Sequence, residues 1–507
     1  MKARWLAALA VATSFFWMLG AAPLFDVDEG AFSQATLEMF ERGDFLSTYL
    51  NGLPRYDKPI LVYWLQAASV ALLGPSEWAF RLPSAVCAAL WAWLTYAFAK
   101  RQYGEERALF AAVLLACSLG VYIIGRAATA DALLNCLLAA AMFAAWLHLS
   151  TGRRRWLYAT HAAIALGVLA KGPIAILVPG ATTFLFCLLK RNLKAWASAV
   201  FDWRGLALFF AIAAPWYAAI LAKEGWAFVD GFLLRHNVAR FGGPLQGHGG
   251  SLLYYFPVLL VLSAPFTALI APALARLREL WRDDLQAYLL LWFAFVFVFF
   301  SLSGTKLPHY VLYGYTGLAI LMAARGAEMR SQLWALVPPL VFFVALLALP
   351  YALAYLAPRL EDAYYRQALG MVLTRFDTLY FAYFGVATAL VVYAMLERRT
   401  ALARKLALCG LLAVAGLSTL VVPAAGELQE PIKEAALLAR ERRFDVVMWR
   451  LNAPSFSVYR GAPTPSREPR PGDVIVTKAS RLSGLPKGTA YDILFSRGGI
   501  VLARIKA

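Results

Sequence analysis

Acids and bases recur in this sequence in short runs that together could move a proton and neutralise an anion. Asp26-Val27-Asp28-Glu29 is the first, and Arg55-Tyr56-Asp57-Lys58-Pro59 follows it. Arg126 and Asp131 bracket a tight turn, and Lys171 stands in Ala170-Lys171-Gly172-Pro173. His236 and Arg240 share the run His236 to Phe241, and Lys306, His309 and Tyr310 share Lys306-Leu307-Pro308-His309-Tyr310. A carboxylate in such company accepts a proton while Lys and Arg stabilise charge on a departing phosphate, so phosphate-bearing substrates fit. Each residue also has a plainer reading. Carboxylates cap helix N-termini, Asp131 pairs with Arg126 at the end of a span, and Lys171 snorkels. His236 and His309 hydrogen-bond at an interface, and Tyr56, Tyr63 and Trp64 form an aromatic belt.

The elements that must hold these residues are set by composition. Of 507 residues, 61% are hydrophobic and 15% charged, against roughly 45–50% and 25% for a soluble domain. Apolar segments of about twenty residues, enough to cross a hydrocarbon core of roughly 30 Å, recur from end to end. Trp5–Leu24, Ala79–Ala99, Ala108–Gly125, Leu206–Ala222, Leu252–Leu274 and Leu333–Leu356 are among them. The expected fold is an all-α integral membrane protein of about thirteen transmembrane helices, spanning residues 1–425, with a small α/β domain over 426–507.

A net charge of +18 would point to nucleic acid in a soluble chain. Here Lys and Arg concentrate in short loops between alternate pairs of spans, as the positive-inside rule requires. That distribution places the N-terminus in the cytoplasm and, with an odd number of spans, the C-terminal domain outside. All the ionisable runs above then fall on the outer face. The loop 26–77 is too long for a bare connection. Phe32, Thr36, Met39 and Phe40 lie at helical spacing and predict an interfacial helix. Ile60–Leu73 is apolar but too short to span, which predicts a second. After Glu427 a helix over Ile432–Arg442 and strands at Asp445–Trp449, Asp473–Thr477, Tyr491–Phe495 and Ile500–Ile505 are expected.

The five cysteines lie inside apolar spans without motif spacing, which indicates neither a disulfide framework nor a zinc knuckle. No Walker loop or dinucleotide fingerprint is present. The lack of a fixed-period repeat weakens a transporter of inverted repeats, and a purely structural scaffold leaves the outer acid–base runs unexplained.

In their order, Asp28-Glu29-Gly30, Tyr56-Asp57-Lys58-Pro59-Ile60 with Tyr63-Trp64, Asp131, Lys171-Gly172, His236 to Phe241 and Lys306-Leu307-Pro308 resemble the GT-C class of membrane glycosyltransferases. These use polyprenyl-phosphate sugars, and the likeness is to the aminoarabinose transferase branch related to protein O-mannosyltransferases. The resemblance implies transfer of 4-amino-4-deoxy-L-arabinose or a similar sugar from undecaprenyl phosphate to lipid A or a related acceptor on the periplasmic face of a bacterial inner membrane. A protein or glycan acceptor is the alternative, and a lipid transporter a more distant one. It implies Asp28 as the catalytic carboxylate, a general base or positioning group for the acceptor, with Glu29 orienting it and Asp131 as the second acidic position. Lys58, Lys171, Arg126, Arg240 and Lys306 would bind the donor phosphate, and Tyr56, Tyr63, His236, His309 and Tyr310 the sugar or acceptor. The expected partners are the lipid-linked donor, the acceptor and membrane lipids, for a monomer that binds no nucleic acid. No cofactor is required, because the donor carries its own leaving group. Related transferases have Glu, associated with a bound metal such as zinc, where this chain has the shorter Asp57, which leaves metal dependence open.

Overall fold

Hydropathy and capping together set the helices. The computed structural model describes residues 2–238, 249–275, 277–326, 329, 331–486 and 488–506, with side chains left aside at 2 and 236–238. In chain order, α1 (Lys2–Phe15) leads into a first loop holding α2 (Asp28–Arg42), the hairpin β1 (Tyr49–Leu50) and β2 (Leu53–Pro54), and α3 (Leu61–Leu73). Then come α4 (Glu77–Tyr103), α5 (Glu105–Cys117), α6 (Leu119–Arg126), α7 (Asp131–Thr151) and α8 (Arg154–Lys171). Helix α4 shows the local logic. The Ser76 hydroxyl accepts from the Ala79 N–H to cap its start, and Gly104, at φ 83°, ends it. Its 27 residues reach about 40 Å at 1.5 Å each, longer than a hydrocarbon core.

Among the described residues, seven helices are long and apolar enough to cross a membrane. They are α4, α7, Trp203–Glu224, Asp284–Leu302, Gln332–Arg359, Thr378–Leu396 and Leu402–Gly426. The expected span Ala108–Gly125 instead bends by 65° between α5 and α6. At the break, the Ser118 hydroxyl donates to the Leu114 carbonyl and meets the Tyr315 hydroxyl, so a side chain intrudes on the backbone ladder. Leu252–Leu274 likewise divides into Tyr255–Leu262, Thr267–Leu269 and Ile270–Leu274.

Helix α2 is buried on more than its apolar stripe. Phe32, Thr36 and Met39 are buried, and so are Ser33, Gln34 and Glu38 on other faces. The reason lies at the other end of the chain, where the C-terminal unit lies over α2. Its sheet runs β3 (Val446–Met448), β4 (Val474–Lys478), β6 (Ile500–Ile505) and β5 (Tyr491–Arg497) in that spatial order, parallel only between β3 and β4. Val474, Val476, Ile500 and Leu502 pack one face against Ile432, Ala435 and Ala439 of helix Glu430–Glu441, while Ile475, Val501 and Ala503 fill the other with Trp449. Both faces of β4 and β6 are therefore buried, which is why Val474–Val476 and Ile500–Ala503 are near-continuous apolar runs. Helix Pro454–Arg460, which the sequence did not announce, packs on α2.

Candidate active site

A cavity of about 640 Å³ lies where the first loop meets the ends of α7 and α8. Asp28, Asp57, Lys58, Asp131 and Lys171 line it, with Arg55, His309 and Tyr310. Residues far apart in the chain are therefore gathered into one polar pocket. A second cavity of about 440 Å³, with largely apolar walls that include Leu19, Phe25 and Ile123, adjoins it, and Asp28, Asp131 and His309 line both.

Asp28 opens α2 and is exposed to the cavities. Its neighbour Glu29 is buried and fully engaged. Arg81 donates Nε to Oε1 at 2.9 Å and Nη2 to Oε2 at 2.6 Å, and the N–H groups of Phe25 and Ala128 add 2.9 and 2.7 Å bonds. Burial alone would raise the Glu29 carboxyl, but the Arg81 charge and these donors hold it below its ordinary range. Glu29 is thus a strut that fixes the start of α2 rather than a reacting group.

Asp131 opens α7 and Lys171 closes α8. Lys171 Nζ donates to Asp131 Oδ1 at 2.5 Å and to the Tyr313 hydroxyl at 2.7 Å, and Tyr313 donates to the same Oδ1 at 3.0 Å. His309 Nε2 lies 3.4 Å from that oxygen. Burial lowers His309 to about 4, against the pull of Asp131, so its ring is neutral near pH 7. The expected pairing of Asp131 with Arg126 does not form. Gly172 follows Lys171 at φ 83°, and a Cβ there would lie 2.6 Å from the Phe232 ring, which accounts for glycine in Lys171-Gly172.

Lys58 lines the cavity and donates Nζ to the Asp57 carbonyl at 3.0 Å. Arg55 holds Asp57 through Nη2 at 3.2 Å and lies over the Phe32 ring, with Nε and Nη1 buried and without partner. Asp28, Asp57, Asp131 and His309 are the ligand types in the wall, but Asp57 is paired with Arg55 and Asp131 with Lys171, and among the described residues no group of three ligating side chains is placed to hold an ion.

Several expected site residues stand elsewhere. Arg126 lines the second cavity but donates to the Ser14 and Met18 carbonyls at 3.1 and 2.9 Å, tying α6 to the end of α1. Lys306 is buried and donates to the Ser303 carbonyl, so it braces its own loop. Tyr56 donates to Glu224 and packs edge-on to Phe228. Tyr63 is wholly buried and stacks on Phe32. Neither tyrosine lines the cavity. Arg240 and the His236 side chain lie outside the described residues. Sequence reasoning missed Tyr313, Arg81 and Asn452. The first stands one helical turn after Tyr310, which is the signal that could have found it; Arg81 sits inside an apolar span, where a charge asks for a partner.

The chain over 57–218 matches the model of the dolichyl-phosphate-mannose-protein mannosyltransferase family. An uncharacterized protein of Aquifex aeolicus is 30% identical over 60% of this chain and 68% of its own. The undecaprenyl phosphate-alpha-4-amino-4-deoxy-L-arabinose arabinosyl transferase of Pseudomonas aeruginosa is 31% identical over 62% of this chain, which spans 58% of that relative's length. In fold, the chain superposes on the crystal structure of ArnT from Cupriavidus metallidurans bound to undecaprenyl phosphate with a TM-score of 0.83, covering 99% of this chain and 97% of that one at 18% identity. The fold shared along the chain, the family model matched over 57–218 and the arabinosyl transferase relative all agree with the ordered motifs: the chain has the ArnT fold and is similar to the polyprenyl-phosphate-sugar glycosyltransferases.

Proposed function

We propose that this protein transfers a sugar, 4-amino-4-deoxy-L-arabinose or one similar to it, from undecaprenyl phosphate to lipid A or a related acceptor. The observation that carries the reading is the convergence of Asp28, Lys58 and the Lys171–Asp131 pair on one cavity. The names of the Pseudomonas aeruginosa relative and of the bound lipid in the Cupriavidus structure support it.

The acceptor oxygen attacks the anomeric carbon as the bond from that carbon to the phosphate oxygen breaks, in one displacement with inversion. The leaving phosphate gains a negative charge, which Lys58 is placed to neutralise. A hydroxyl acceptor gives its proton to Asp28, whereas an acceptor phosphate is already ionised and Asp28 then positions it. Asp131 engages its basic partner Lys171 and presents that ammonium to the cavity. The donor brings its own leaving group, so the step requires no cofactor, and none of it runs through a metal.

The same reading places the N-terminus in the cytoplasm and the site and C-terminal unit in the periplasm of a bacterial inner membrane. It counts thirteen crossings: the seven long helices, the bent α5–α6 pair, α1, α8, Ile174–Leu189, the broken stretch 255–274 and Leu312–Arg325, with α3 left outside the count. The working unit is a monomer. A protein or glycan acceptor is the second reading, favoured by the matched family of protein mannosyltransferases.

Mass spectrometry of lipid A and of envelope glycans and proteins, from cells with and without the protein, separates the two. Loss of one sugar mass from lipid A supports the first reading. Loss from protein or glycan alone supports the second, and no difference in any fraction overturns both.

A further inference from the structure

One side chain in the cavity comes from the C-terminal unit. Asn452 lines the same pocket as Lys58 and Lys171, and its amide makes no hydrogen bond to any described residue. Its neighbours are anchored the other way. Leu451 and Ala453 pack into the core of the C-terminal unit, so the intervening residue turns outward into the cavity.

The loop is held there by contacts that its own unit does not need. A Cβ on Gly30 would lie 2.4 Å from the Ser455 nitrogen, so α2 and helix Pro454–Arg460 meet where only glycine fits. Asp26 Oδ1 accepts from the Ser455 N–H at 2.9 Å, and its other oxygen from the Ser455 hydroxyl. Asn51 Oδ1 accepts from the Ser457 hydroxyl at 2.7 Å and the Thr464 N–H at 3.1 Å. Lys433 reaches Glu77 at 2.6 Å, and Tyr459 donates to the same carboxylate at 3.1 Å. This clamp fixes a polar side chain over a reactive pocket.

We infer that Asn452 is a specificity-determining residue that hydrogen-bonds the sugar of the lipid-linked donor. An amide offers two donor hydrogens and one acceptor oxygen, which suits the hydroxyl and amino groups of a pyranose and carries no charge for a phosphate. The cations Lys58 and Lys171 belong to the first loop and the bundle, so the phosphate end is served from below and the sugar end from above. Phe32 and Leu50, also in the wall, offer apolar surface to a sugar ring. The C-terminal unit then contributes to substrate selection, and Gly30, beside Asp28 in sequence, registers it on the site.

The inference rests on the lipid-linked-sugar reading, and binding measurements separate the two. The full-length protein in nanodiscs is titrated with undecaprenyl phosphate, undecaprenyl phosphoryl-aminoarabinose and undecaprenyl phosphoryl-glucose, as wild type, Asn452→Ala and Asn452→Gln. The expected result is an unchanged Kd of Asn452→Ala for undecaprenyl phosphate and a loss of about five- to tenfold for the preferred sugar-bearing lipid, the size of one or two hydrogen bonds, with partial recovery in Asn452→Gln. Equal weakening for all three lipids, or no weakening for either sugar-bearing lipid, overturns the role of Asn452 while leaving the transferase reading in place. Wild-type protein that binds none of the three overturns that reading and this inference with it.

Discussion

The ammonium of Lys171, at the end of α8, lies 2.5 Å from the carboxylate of Asp131, at the start of α7. Both side chains are about nine-tenths buried, at 10% and 11% exposure, and Tyr313 bonds to each. Removing one member leaves the other charge unpaired, at a cost of about 3–5 kcal/mol. Asp131→Asn and Lys171→Met are each expected to lower the unfolding temperature in detergent. The double variant should lose less than the sum of the two. Strict additivity would show that the pair is not coupled.

Gly30 makes a second prediction. A methyl group there meets Asp26 Oδ1 at 2.2 Å and the Ser455 nitrogen at 2.4 Å. Overpacking of this kind costs about 1–3 kcal/mol, and the strain falls on the contact between α2 and the C-terminal unit. Gly30→Ala should raise hydrogen exchange in 454–460 while leaving 131–171 protected. Unchanged exchange at 454–460 would show that the approach is not tight.

Asp26 gives that contact a pH dependence. Burial raises its carboxyl from the ordinary 3.8 to about 7, although the Ser455 hydroxyl and N–H oppose the rise. The folded chain therefore holds the proton more tightly than the unfolded one. Its stabilising contribution is complete below about pH 4 and is lost as pH rises through about 7. Stability of the wild type relative to Asp26→Asn should fall between about pH 4 and pH 7 and level off above. Thermal unfolding of both proteins across that range checks the slope, and a flat or rising difference contradicts it.

Lys58 and Arg126 were both expected to hold phosphate, and the structure separates them. Lys58 faces the polar cavity, whereas Arg126 is bound to carbonyls at the end of α1. Lys58→Ala should weaken binding of undecaprenyl phosphate by about tenfold or more, the scale of a charge-assisted contact. Arg126→Gln should mainly lower stability. Binding titrations paired with unfolding curves distinguish the two, and the reverse pattern would exchange their roles.

Much of the architecture was legible because hydropathy, short apolar runs between turn residues and helical spacing are local signals. The strands from Val474 to Ile505 and the apolar stripe of α2 were read from such patterns. Helix Pro454–Arg460, with its Ser and Tyr residues, carries no such stripe, and its place on α2 depends on partners more than 400 positions away, as in the Ser455–Asp26 bond. The same holds in the site. Charge and spacing marked Asp28, Lys58, Asp131 and Lys171, which line the cavity. They did not separate reactive acids from struts, because only the fold shows that Glu29 is saturated by Arg81. Nor did they show that Lys306 is turned to Ser303.

In the proposed transfer from a lipid-linked sugar, Asp28 serves the acceptor. Its most direct test is the transfer rate of Asp28→Asn, measured in the reconstituted protein with undecaprenyl phosphoryl-aminoarabinose and lipid A beside a binding titration of the donor. The rate should fall by about a hundredfold or more, with donor affinity and unfolding temperature unchanged. Transfer at close to the wild-type rate would contradict it.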